Sequence, residues 1–333
     1  MNVGQWGEKR LIREIAELVA PVLGEEGLVG IGDDAAVTVL TPGKRLVTTT
    51  DMLVEGVHFL RDAVSADDLG HKALAVNLSD LAAMGAEARY VYVSLALTKE
   101  TDVEFILDFY RGLKALADRF AVLLVGGDTV GSPGPLVVSI TAQGEAGKVL
   151  LRSGASPGDV LCVTGMLGAS AAGLLLLLNP QLDCPAEVRQ EALSAHFRPV
   201  PRLREGQFLA ATGAVTAAID LSDGVLKDLG EICERSGCGA VLHERKIPVS
   251  PAARQLASLA GKNYLDLALS GGEDYELLLA VKKECFAWLA GEFATRFGTP
   301  LYEIGQISDG EEILMITAAG ARERIEARGF AHF

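Results

Sequence analysis

The stretch Asp67-Asp-Leu-Gly-His-Lys-Ala-Leu-Ala-Val-Asn-Leu-Ser-Asp-Leu-Ala-Ala-Met-Gly85 predicts a long helix with a carboxylate on its apolar face. Spacings of three and four residues place side chains on one stripe of a helix. The members of this stripe are Leu69, Ala73, Val76 and Asp80. An unpaired charge there is costly, so Asp80 needs a partner. Two partners remain open: a basic residue, with Lys72 of the same helix as the candidate, or a metal ion.

The segments on either side of this helix are rich in β-forming residues. Arg45–Thr50 precedes it and Tyr90–Leu97 follows it, and both halves of the chain mix helices with alternating strands. This mixture favours an α+β fold with mixed or antiparallel sheets over a strictly parallel sheet. The turn at Pro42-Gly43 predicts a hairpin between Val37–Leu40 and Arg45–Thr50, and Thr101-Asp-Val-Glu104 predicts a capping box that opens a helix.

The length of the chain indicates two domains. It has 333 residues, and about 150 residues is the usual size of one domain. The segment Gly144–Gly158 is rich in Gly, Ser and Pro, which predicts two α/β domains, residues 1–145 and 146–333. The uncharged stretch Val160–Leu178 is nearly long enough to cross a bilayer. Its glycines favour a buried strand, a turn and a buried helix instead.

The charge balance argues against some classes of binding partner, and the cysteine count indicates the redox state of the thiols. Acidic residues number 44 and basic residues 30, so the net charge is −14. This balance argues against a general binder of nucleic acids or of anionic membranes. The five cysteines are an odd number without a CxxC pair, which favours reduced thiols. Met1–Arg13 has no apolar core typical of a signal peptide. We expect a cytoplasmic protein.

Carboxylates recur at turns and beside paired glycines, where a backbone can approach a ligand. The positions concerned are Asp33, Asp34, Asp51, Asp80, Asp128, Asp220, Asp223, Glu273 and Asp274. Gathered carboxylates repel one another unless cations join them, and oxygen ligands without His or Cys clusters favour Mg²⁺. Taken singly, each acid has a structural alternative, such as a turn at Asp34 or a helix cap at Asp220–Gly224.

Common nucleotide motifs are absent or out of context. No GxxxxGK[ST] phosphate loop occurs in the chain. Gly30-Ile-Gly-Asp-Asp-Ala35 matches GxGxxA, and Asp51 follows at about the expected 20 residues. That fingerprint requires a strand before it and a helix after it, whereas here a helix precedes and β-rich segments follow. The sequence therefore does not predict a Rossmann site.

Eight strings in the same order, spread over essentially the whole chain, resemble thiamine-monophosphate kinases. They are Gly30–Ala35, Thr49–Phe59, Lys72–Gly85, Gly126–Thr129, Arg152–Gly154, Ile219–Gly224, Ser270–Glu276 and His332-Phe333. The resemblance implies the fold of the aminoimidazole-ribonucleotide-synthetase-like enzymes and ATP-dependent phosphorylation of thiamine phosphate to thiamine diphosphate. It also implies a homodimer joined through the N-terminal domain, which binds ATP and Mg²⁺, and a C-terminal domain that closes the active-site cleft.

The resemblance also implies roles for individual residues. Matches to Mg²⁺-binding positions are Asp34, Thr49, Thr50, Asp51, Asp80, Asp128, Asp220 and Asp223. Matches to ATP contacts are Tyr110, Gly127, Asp128, Arg152 and Ser222. Matches to contacts with thiamine phosphate are His58, Glu273 and Phe330, with Ala327 as the rival to Phe330. Several Mg²⁺ ions and K⁺ are implied as cofactors, and no catalytic base is expected because a phosphate oxygen is already a nucleophile.

Two other functions stay open on the sequence alone. One is a different ATP-dependent enzyme of the same superfamily, such as aminoimidazole ribonucleotide synthetase or the hydrogenase-maturation dehydratase. The other is an acidic module that binds nucleotides or cations without turnover. His58 could equally be a packing residue, Arg152 a solvated surface residue, and Thr48–Thr50 good strand formers.

Overall fold

The computed structural model describes residues 1–20, 28–32, 34–326 and 329–330. Within it the chain forms two compact units. Unit 1 contains Met1–Leu81 and Ala86–Gly147, and unit 2 contains Ala82–Gly85 and Lys148–Phe333. Each unit has its own β-sheet with helices packed on it.

Unit 1 is built on a four-stranded mixed sheet. Its elements are α1 (Val3–Trp6), α2 (Glu8–Val19), β1 (Arg45–Val54), α3 (Ala66–Ala83), β2 (Glu87–Leu97), α4 (Val103–Phe120), β3 (Leu123–Gly131) and β4 (Val137–Ala146). The strand order is β1-β4-β2-β3, with antiparallel pairs except for parallel β2 and β3. Alternate residues of β2 and β4 are buried, so one face of the sheet forms the core and the other is open.

The predicted hairpin before β1 is wrong. The turn itself forms, with Gly43 at φ 82° and the Lys44 amide donating to the Thr41 carbonyl. However, β1 pairs along its whole length with β4, and Val37 makes only an isolated bridge with Val29. A local turn signal does not specify which strand pairs with which, because strand pairing is decided by long-range packing.

Several boundaries also differ from the prediction. Apolar spacing predicts a first helix over Glu8–Leu23; the observed helix ends at Val19, and the last three residues of that range lie outside the described residues. Helix α4 is capped by Asp102, whose carboxylate accepts from the Glu104 amide, so the predicted capping box at Thr101 does not form. Asp102 satisfies an amide that the helix leaves unpaired.

Unit 2 is built on a seven-stranded sheet. Its helices are α5 (Ala169–Leu178), α6 (Ala186–Phe197), α7 (Leu203–Thr212), α8 (Val225–Ser236), α9 (Pro251–Leu259), α10 (Tyr264–Leu269) and α11 (Lys283–Phe297). Its strands are β5 (Val160–Val163), β6 (Val215–Asp220), β7 (Gly239–His243), β8 (Leu277–Val281), β9 (Tyr302–Ser308), β10 (Ile313–Ile316) and β11 (Arg322–Arg324). The order is β11-β10-β7-β9-β5-β8-β6, and only β7 and β10 are parallel neighbours. The sequence did not predict α10, β7 and β11.

The stretch Val160–Leu178 forms β5 and α5, as the sequence predicts. Among the residues that the structure describes, no helix is both long and apolar enough to cross a membrane. The mixed sheets with helices confirm the predicted α+β class.

Candidate active site

The first acidic cluster lies in unit 1, where α3 packs against β1. Thr49 and Asp51 are two residues apart on β1, so their side chains lie on the same face. The Thr49 hydroxyl donates to a carboxylate oxygen of Asp80 at 2.5 Å, and the Asp51 amide donates to the Asn77 side chain at 3.1 Å. The predicted burial of Asp80 on the α3 stripe therefore brings its carboxylate beside that of Asp51.

Electrostatics in this cluster favour a cation. Burial raises the pKa of the Asp51 carboxyl to about 6, and the nearby charge of Asp80 adds to the rise. Both effects penalise a second negative charge at this point, and a divalent cation would relieve them. The donors are carboxylate and hydroxyl oxygens, which are the ligands that Mg²⁺ prefers.

Thr50 belongs to the other face of the sheet. Its hydroxyl donates to the Ile140 carbonyl at 3.1 Å and accepts from the Thr141 hydroxyl at 3.2 Å. Alternation along β1 separates Thr50 from Thr49 and Asp51. Its predicted role as a metal ligand stays a prediction.

Strand β3 contributes the paired glycines and Asp128. One row across the sheet contains Asp51, Ile140, Val93 and Gly127. Gly127 has φ 154°, and a Cβ there would lie 1.9 Å from the Val93 carbonyl oxygen, so only glycine fits. Asp128 follows, exposed, and accepts from the Thr129 amide at 2.8 Å. Strand β3 continues through these residues and ends at Gly131.

The segment that contains Asp34 runs beside β3. A Cβ on Gly30 would lie 3.9 Å from the Val125 carbonyl oxygen, and one on Gly126 would lie 4.0 Å from the Ala36 side chain. Asp34 itself is exposed, and Asp33 lies outside the described residues. The predicted role of Asp34 as a metal ligand stays a prediction.

Two further predicted contacts of unit 1 differ in exposure. His58 is half-buried after β1, and its Nδ1 accepts from the Val54 amide at 3.0 Å. A neutral ring with this bond carries its proton on Nε2. Tyr110 is only 3% exposed in α4, and burial raises the pKa of its hydroxyl. Its contact with a nucleotide stays a prediction.

The second acidic cluster lies in unit 2, between β6 and α8. Asp220 ends β6 and is only 3% exposed, whereas Ser222 and Asp223 are half-buried. Gly224, at φ 113°, begins α8. The buried carboxylate of Asp228 accepts from the Asp223 and Gly224 amides at 3.2 and 3.1 Å. Burial raises the pKa of Asp228 to about 7, and the charge of Asp223 adds to the rise.

The glycine-rich segment Ser270–Glu276 pairs with this loop. The Glu273 amide donates to the Ser222 carbonyl at 2.8 Å, and the Tyr275 amide donates to the Leu221 carbonyl at 2.9 Å. Glu273 and Tyr275 have φ 66° and 51°, a conformation that costs energy for residues other than glycine. The paired segments keep this strained backbone in place beside Ser222.

Phe330 contacts the same loop, Asp220–Gly224. The Phe330 amide donates to the Asp223 carbonyl at 3.3 Å, and Lys227 bridges the Asp223 carboxylate at 2.6 Å and the Phe330 carbonyl at 2.5 Å. The Phe330 side chain is 46% exposed, and its rival Ala327 lies outside the described residues. Unit 2 thus brings Ser222, Asp223, Glu273 and Phe330 to one region.

Arg152 lies beside α8. Its backbone carbonyl accepts from the Ser236 hydroxyl at 3.3 Å, and its guanidinium lies 3.6 Å from the Glu231 carboxylate. The side chain is about half exposed, at 49%. A half-exposed guanidinium on a backbone-anchored loop is suited to bind a phosphate, although the ion pair with Glu231 would have to open.

Sequence reasoning missed several residues that support these clusters. Asn77 holds the backbone of Asp51, and Asp228 holds the backbone of Asp223. Asn77 lies three residues before Asp80, so the helical spacing could have indicated it. The role of Asp228 depends on a loop conformation that spacing alone does not reveal.

The described side chains do not by themselves form a complete set of metal ligands. In the described ranges 1–20, 28–32, 34–326 and 329–330, no three His, Cys, Asp or Glu side chains are grouped to hold a metal ion. The nearest approach is the pair Asp51 and Asp80 with the Thr49 hydroxyl. The raised pKa and the oxygen donors of this pair fit Mg²⁺, and substrate phosphates commonly supply its remaining ligands.

Comparisons with known proteins find similar proteins over most of the chain. Residues 32–146 match the model of the AIR synthase related protein N-terminal domain, and residues 156–316 match that of its C-terminal domain. A thiamine-monophosphate kinase of Salmonella typhimurium is 41% identical over 305 residues, which is 91% of each chain.

Solved structures resemble the fold as well. The crystal structure of a thiamine-monophosphate kinase from Stenotrophomonas maltophilia has a TM-score of 0.82 at 37% identity, covering 95% of this chain and 96% of that one. The structure described as AaThiL complexed with AMPPCP and TMP has a TM-score of 0.79 at 30% identity, covering 100% and 99%.

Proposed function

Because the chain belongs to the thiamine-monophosphate kinase family, we propose that its two acidic clusters bind the cations and phosphates of the reaction. The chain catalyses ATP-dependent phosphorylation of thiamine phosphate to thiamine diphosphate. The observation that carries the proposal is the pair Asp51 and Asp80, two neighbouring carboxylates with hydroxyl and amide partners and a raised pKa.

In unit 1, the proposed role of Thr49, Asp51 and Asp80 is to hold Mg²⁺ at the phosphates. Mg²⁺, when bound, neutralises phosphate charge and orients the transferring group. The Thr49 hydroxyl donates to the Asp80 carboxylate and the Asn77 side-chain oxygen accepts from the Asp51 backbone amide, so that little reorganisation is needed on binding. Asp34, Thr50 and Asp128 are further proposed ligands, and the K⁺ requirement stays a prediction of the family resemblance.

The paired glycines of β3 have a proposed role at the nucleotide. Gly127 removes a side chain from the row that contains Asp51, so a phosphate could approach its backbone. His58 has a proposed role at thiamine phosphate. Its Nδ1 accepts from the Val54 amide, so a neutral ring carries its proton on Nε2, the nitrogen that we propose donates to a phosphate oxygen.

In unit 2, the loop Asp220–Gly224 has a proposed role at ATP and its cations, together with Arg152. The Asp228 carboxylate and the segment Ser270–Glu276 form hydrogen bonds with the backbone of this loop and so maintain its conformation. Glu273 has a proposed role at the thiamine end of the substrate. Thiamine carries a permanent cation and an aminopyrimidine with donors, and a carboxylate suits both, whereas it would repel the phosphate end.

The proposed transfer is direct. The bond from the γ-phosphorus of ATP to its bridging oxygen breaks, and a phosphate oxygen of thiamine phosphate forms the new bond, which leaves ADP. No protein nucleophile and no general base is needed, because the attacking oxygen is already anionic. Positioning and charge neutralisation then account for the catalysis.

Incubation of the protein with ATP, Mg²⁺ and thiamine phosphate should yield thiamine diphosphate and ADP in equal amounts. Product analysis separates this activity from that of other superfamily enzymes and from a module that only binds nucleotide. Because the transfer is direct, isotope exchange between ATP and ADP should be absent without thiamine phosphate. A trapped phosphoprotein would contradict the direct mechanism.

We expect the homodimer implied by the family resemblance to use the open face of the unit 1 sheet. Leu46 and Met52 of β1 and Val130 of β3 are large apolar residues about half exposed, at 52%, 56% and 48%. Apolar side chains on an exposed sheet face are typical of a surface that packs against another chain. A two-fold axis would bring the same face of a second copy onto it.

Met52→Glu is therefore expected to dissociate the dimer, because it adds like charges on both sides of a two-fold interface. Sedimentation velocity at micromolar concentration should show a monomer for this variant and a dimer for the unchanged protein. Leu60→Glu is the control, since Leu60 is 51% exposed in unit 1 but outside the strands. A Met52→Glu protein that remains dimeric would contradict this interface.

We also expect the protein to act in the cytoplasm. The five cysteines are free thiols, the state that a reducing compartment maintains. The partners expected are ATP, thiamine phosphate and a second copy of the chain, without nucleic acid or membrane.

A further inference from the structure

A buried histidine in unit 2 contacts Glu273 and has no part in the functions described so far. His196 lies in the last turn of α6 and is 5% exposed. Its Nδ1 lies 3.3 Å from the Glu273 Oε2 and 3.1 Å from the Ser170 hydroxyl oxygen. Ser170 lies in the first turn of α5 and is 1% exposed. The three side chains form a contiguous polar group in which His196 and Ser170 are buried.

Close packing of α5 and α6 brings the ring to this position. A Cβ on Gly173 of α5 would lie 2.3 Å from the Ala192 carbonyl oxygen and 2.7 Å from the His196 Cβ. Only glycine allows α6 to approach α5 this closely. The Phe197 ring also meets the imidazole edge to face, with the ring centroids 5.3 Å apart. The α5 backbone limits where the His196 Cβ can lie, and the Phe197 ring contacts the imidazole itself.

The contact with a carboxylate assigns the proton of the ring. An ionised carboxylate accepts hydrogen bonds and cannot donate them. The approach of Nδ1 of His196 to the Glu273 carboxylate is therefore favourable when Nδ1 carries a hydrogen, which it can share with the Ser170 hydroxyl oxygen. This is the opposite tautomer to the one that the Val54 amide favours in His58. Oε2 of Glu273 is thus engaged within the protein.

The backbone around Glu273 is fixed independently. The Glu273 amide donates to the Ser222 carbonyl at 2.8 Å. The carboxylate of Asp274 accepts from the Gly168 amide at 2.7 Å and from the Ser170 amide at 3.4 Å. These bonds fix the backbone of the segment from which the Glu273 side chain extends. The Glu273 side chain is 27% exposed, so it lies at the surface of the group while His196 lies beneath it.

We propose that His196, together with Ser170, is a positioning residue that holds the Glu273 carboxylate in the orientation that receives the cationic, donor-bearing end of the substrate. The inference rests on the proposed function of Glu273. Holding one oxygen removes side-chain freedom that substrate binding would otherwise have to restrict, and preorganisation of this kind increases affinity. Loss of His196 is expected to weaken the binding of thiamine phosphate and to leave the phosphoryl-transfer step unchanged. The reason is that Glu273 is proposed to bind the thiamine end of the substrate and not the transferring phosphate.

The test compares two substitutions of His196. Leucine has a similar volume and no donor, and His196→Leu is expected to raise the KM for thiamine phosphate about tenfold, the usual effect of one hydrogen bond to a charged group. The KM for ATP and kcat should change by less than about twofold. Asparagine offers an N–H near the position of Nδ1, so His196→Asn should restore most of the affinity. An equal loss in both variants would overturn the positioning role.

A double-mutant cycle separates this inference from the proposed function. Glu273→Gln alone should raise the KM for thiamine phosphate about ten- to a hundredfold, and His196→Leu should then add less than about twofold, since it acts through Glu273. If Glu273→Gln instead weakens only ATP and Mg²⁺, the proposed role of Glu273 fails. If Glu273→Gln has the expected effect and His196→Leu multiplies it in full, the inference about His196 fails.

A measurement on the unchanged protein covers the case in which His196→Leu does not fold. Nitrogen-15 NMR of histidine-labelled protein, assigned with His196→Asn, should show a protonated Nδ1 for His196. Its resonance should shift when thiamine phosphate is added and stay constant when ATP and Mg²⁺ are added alone. An Nδ1 without a hydrogen, or a resonance that does not shift when thiamine phosphate is added, would overturn the inference.

Discussion

Asp51→Asn is expected to lower turnover by at least about a hundredfold, the loss typical of removing one preorganised electrostatic group, while making the protein without Mg²⁺ more stable. The activity falls because one of two neighbouring carboxylates that favour a cation is lost. The stability rises because the folded state opposes the charge on Asp51, whose pKa is raised from 3.8 to about 6 by burial and by Asp80.

The pH dependence of this gain follows from the direction of the shift. Below the unfolded pKa of 3.8, Asp51 is protonated in both states and costs nothing. Between 3.8 and about 6 the unfolded chain loses its proton while the folded chain keeps it, so stability falls as pH rises. Above this window the cost is constant. At 1.36 kcal/mol per pKa unit, Asp51→Asn should gain about 1–3 kcal/mol at pH 7.5 and almost nothing at pH 4.

Denaturant titrations at these two pH values, with and without Mg²⁺, check the result. Asp108→Asn is the matched control, because it removes the same charge from a half-exposed position of α4 where Asp108 makes a surface ion pair with Arg111. It should change stability by less than about 0.5 kcal/mol and leave turnover intact. The half-saturating Mg²⁺ concentration of the unchanged protein should also rise below pH 6, since protons compete with the cation at Asp51. Near-normal activity of Asp51→Asn at saturating Mg²⁺ would contradict the metal role.

Arg202→Met is expected to be the most destabilising single change considered, at about 3–5 kcal/mol. Glu276 is 6% exposed, and its carboxylate accepts from the Arg202 Nε at 2.7 Å, from the Arg202 Nη2, and from the Thr164 hydroxyl at 2.6 Å. Removing the guanidinium leaves a buried carboxylate without its main counter-charge. The loss should also reach the loop after β6, because the Leu221 amide donates to the Glu276 carbonyl at 2.8 Å.

Thermal and urea unfolding measure this effect, and a second substitution identifies its cause. Arg202→Met combined with Glu276→Gln should recover more than half of the lost stability, because the remaining amide is neutral and can still accept from Thr164. Arg204→Met is the control, since Arg204 lies exposed in the first turn of α7. A loss below about 1 kcal/mol for Arg202→Met would show that the ion pair does not hold this region together.

The predicted helices and strands are accurate where periodicity is strong. The stretch Val160–Leu178 forms the predicted strand and helix, and α3 differs from the predicted Asp67–Gly85 by only one or two residues at its ends. The errors lie where a local signal has several long-range solutions. Pro42-Gly43 forms its turn without the predicted hairpin, and Asp102 rather than Thr101 caps α4.

The sequence by itself determined the α+β class, the family and the position of Asp80 on a buried helix face, because hydrophobic spacing and motif residues are local properties of the chain. The tertiary structure alone decided that β1 pairs with β4, that Asp51 lies beside Asp80, and that His196 lies against Glu273. These are contacts between residues far apart in the chain. Their geometry and their pKa shifts depend on how helices and sheets pack. Residue spacing along the chain predicts single helices and strands, but it does not predict which of them pack together.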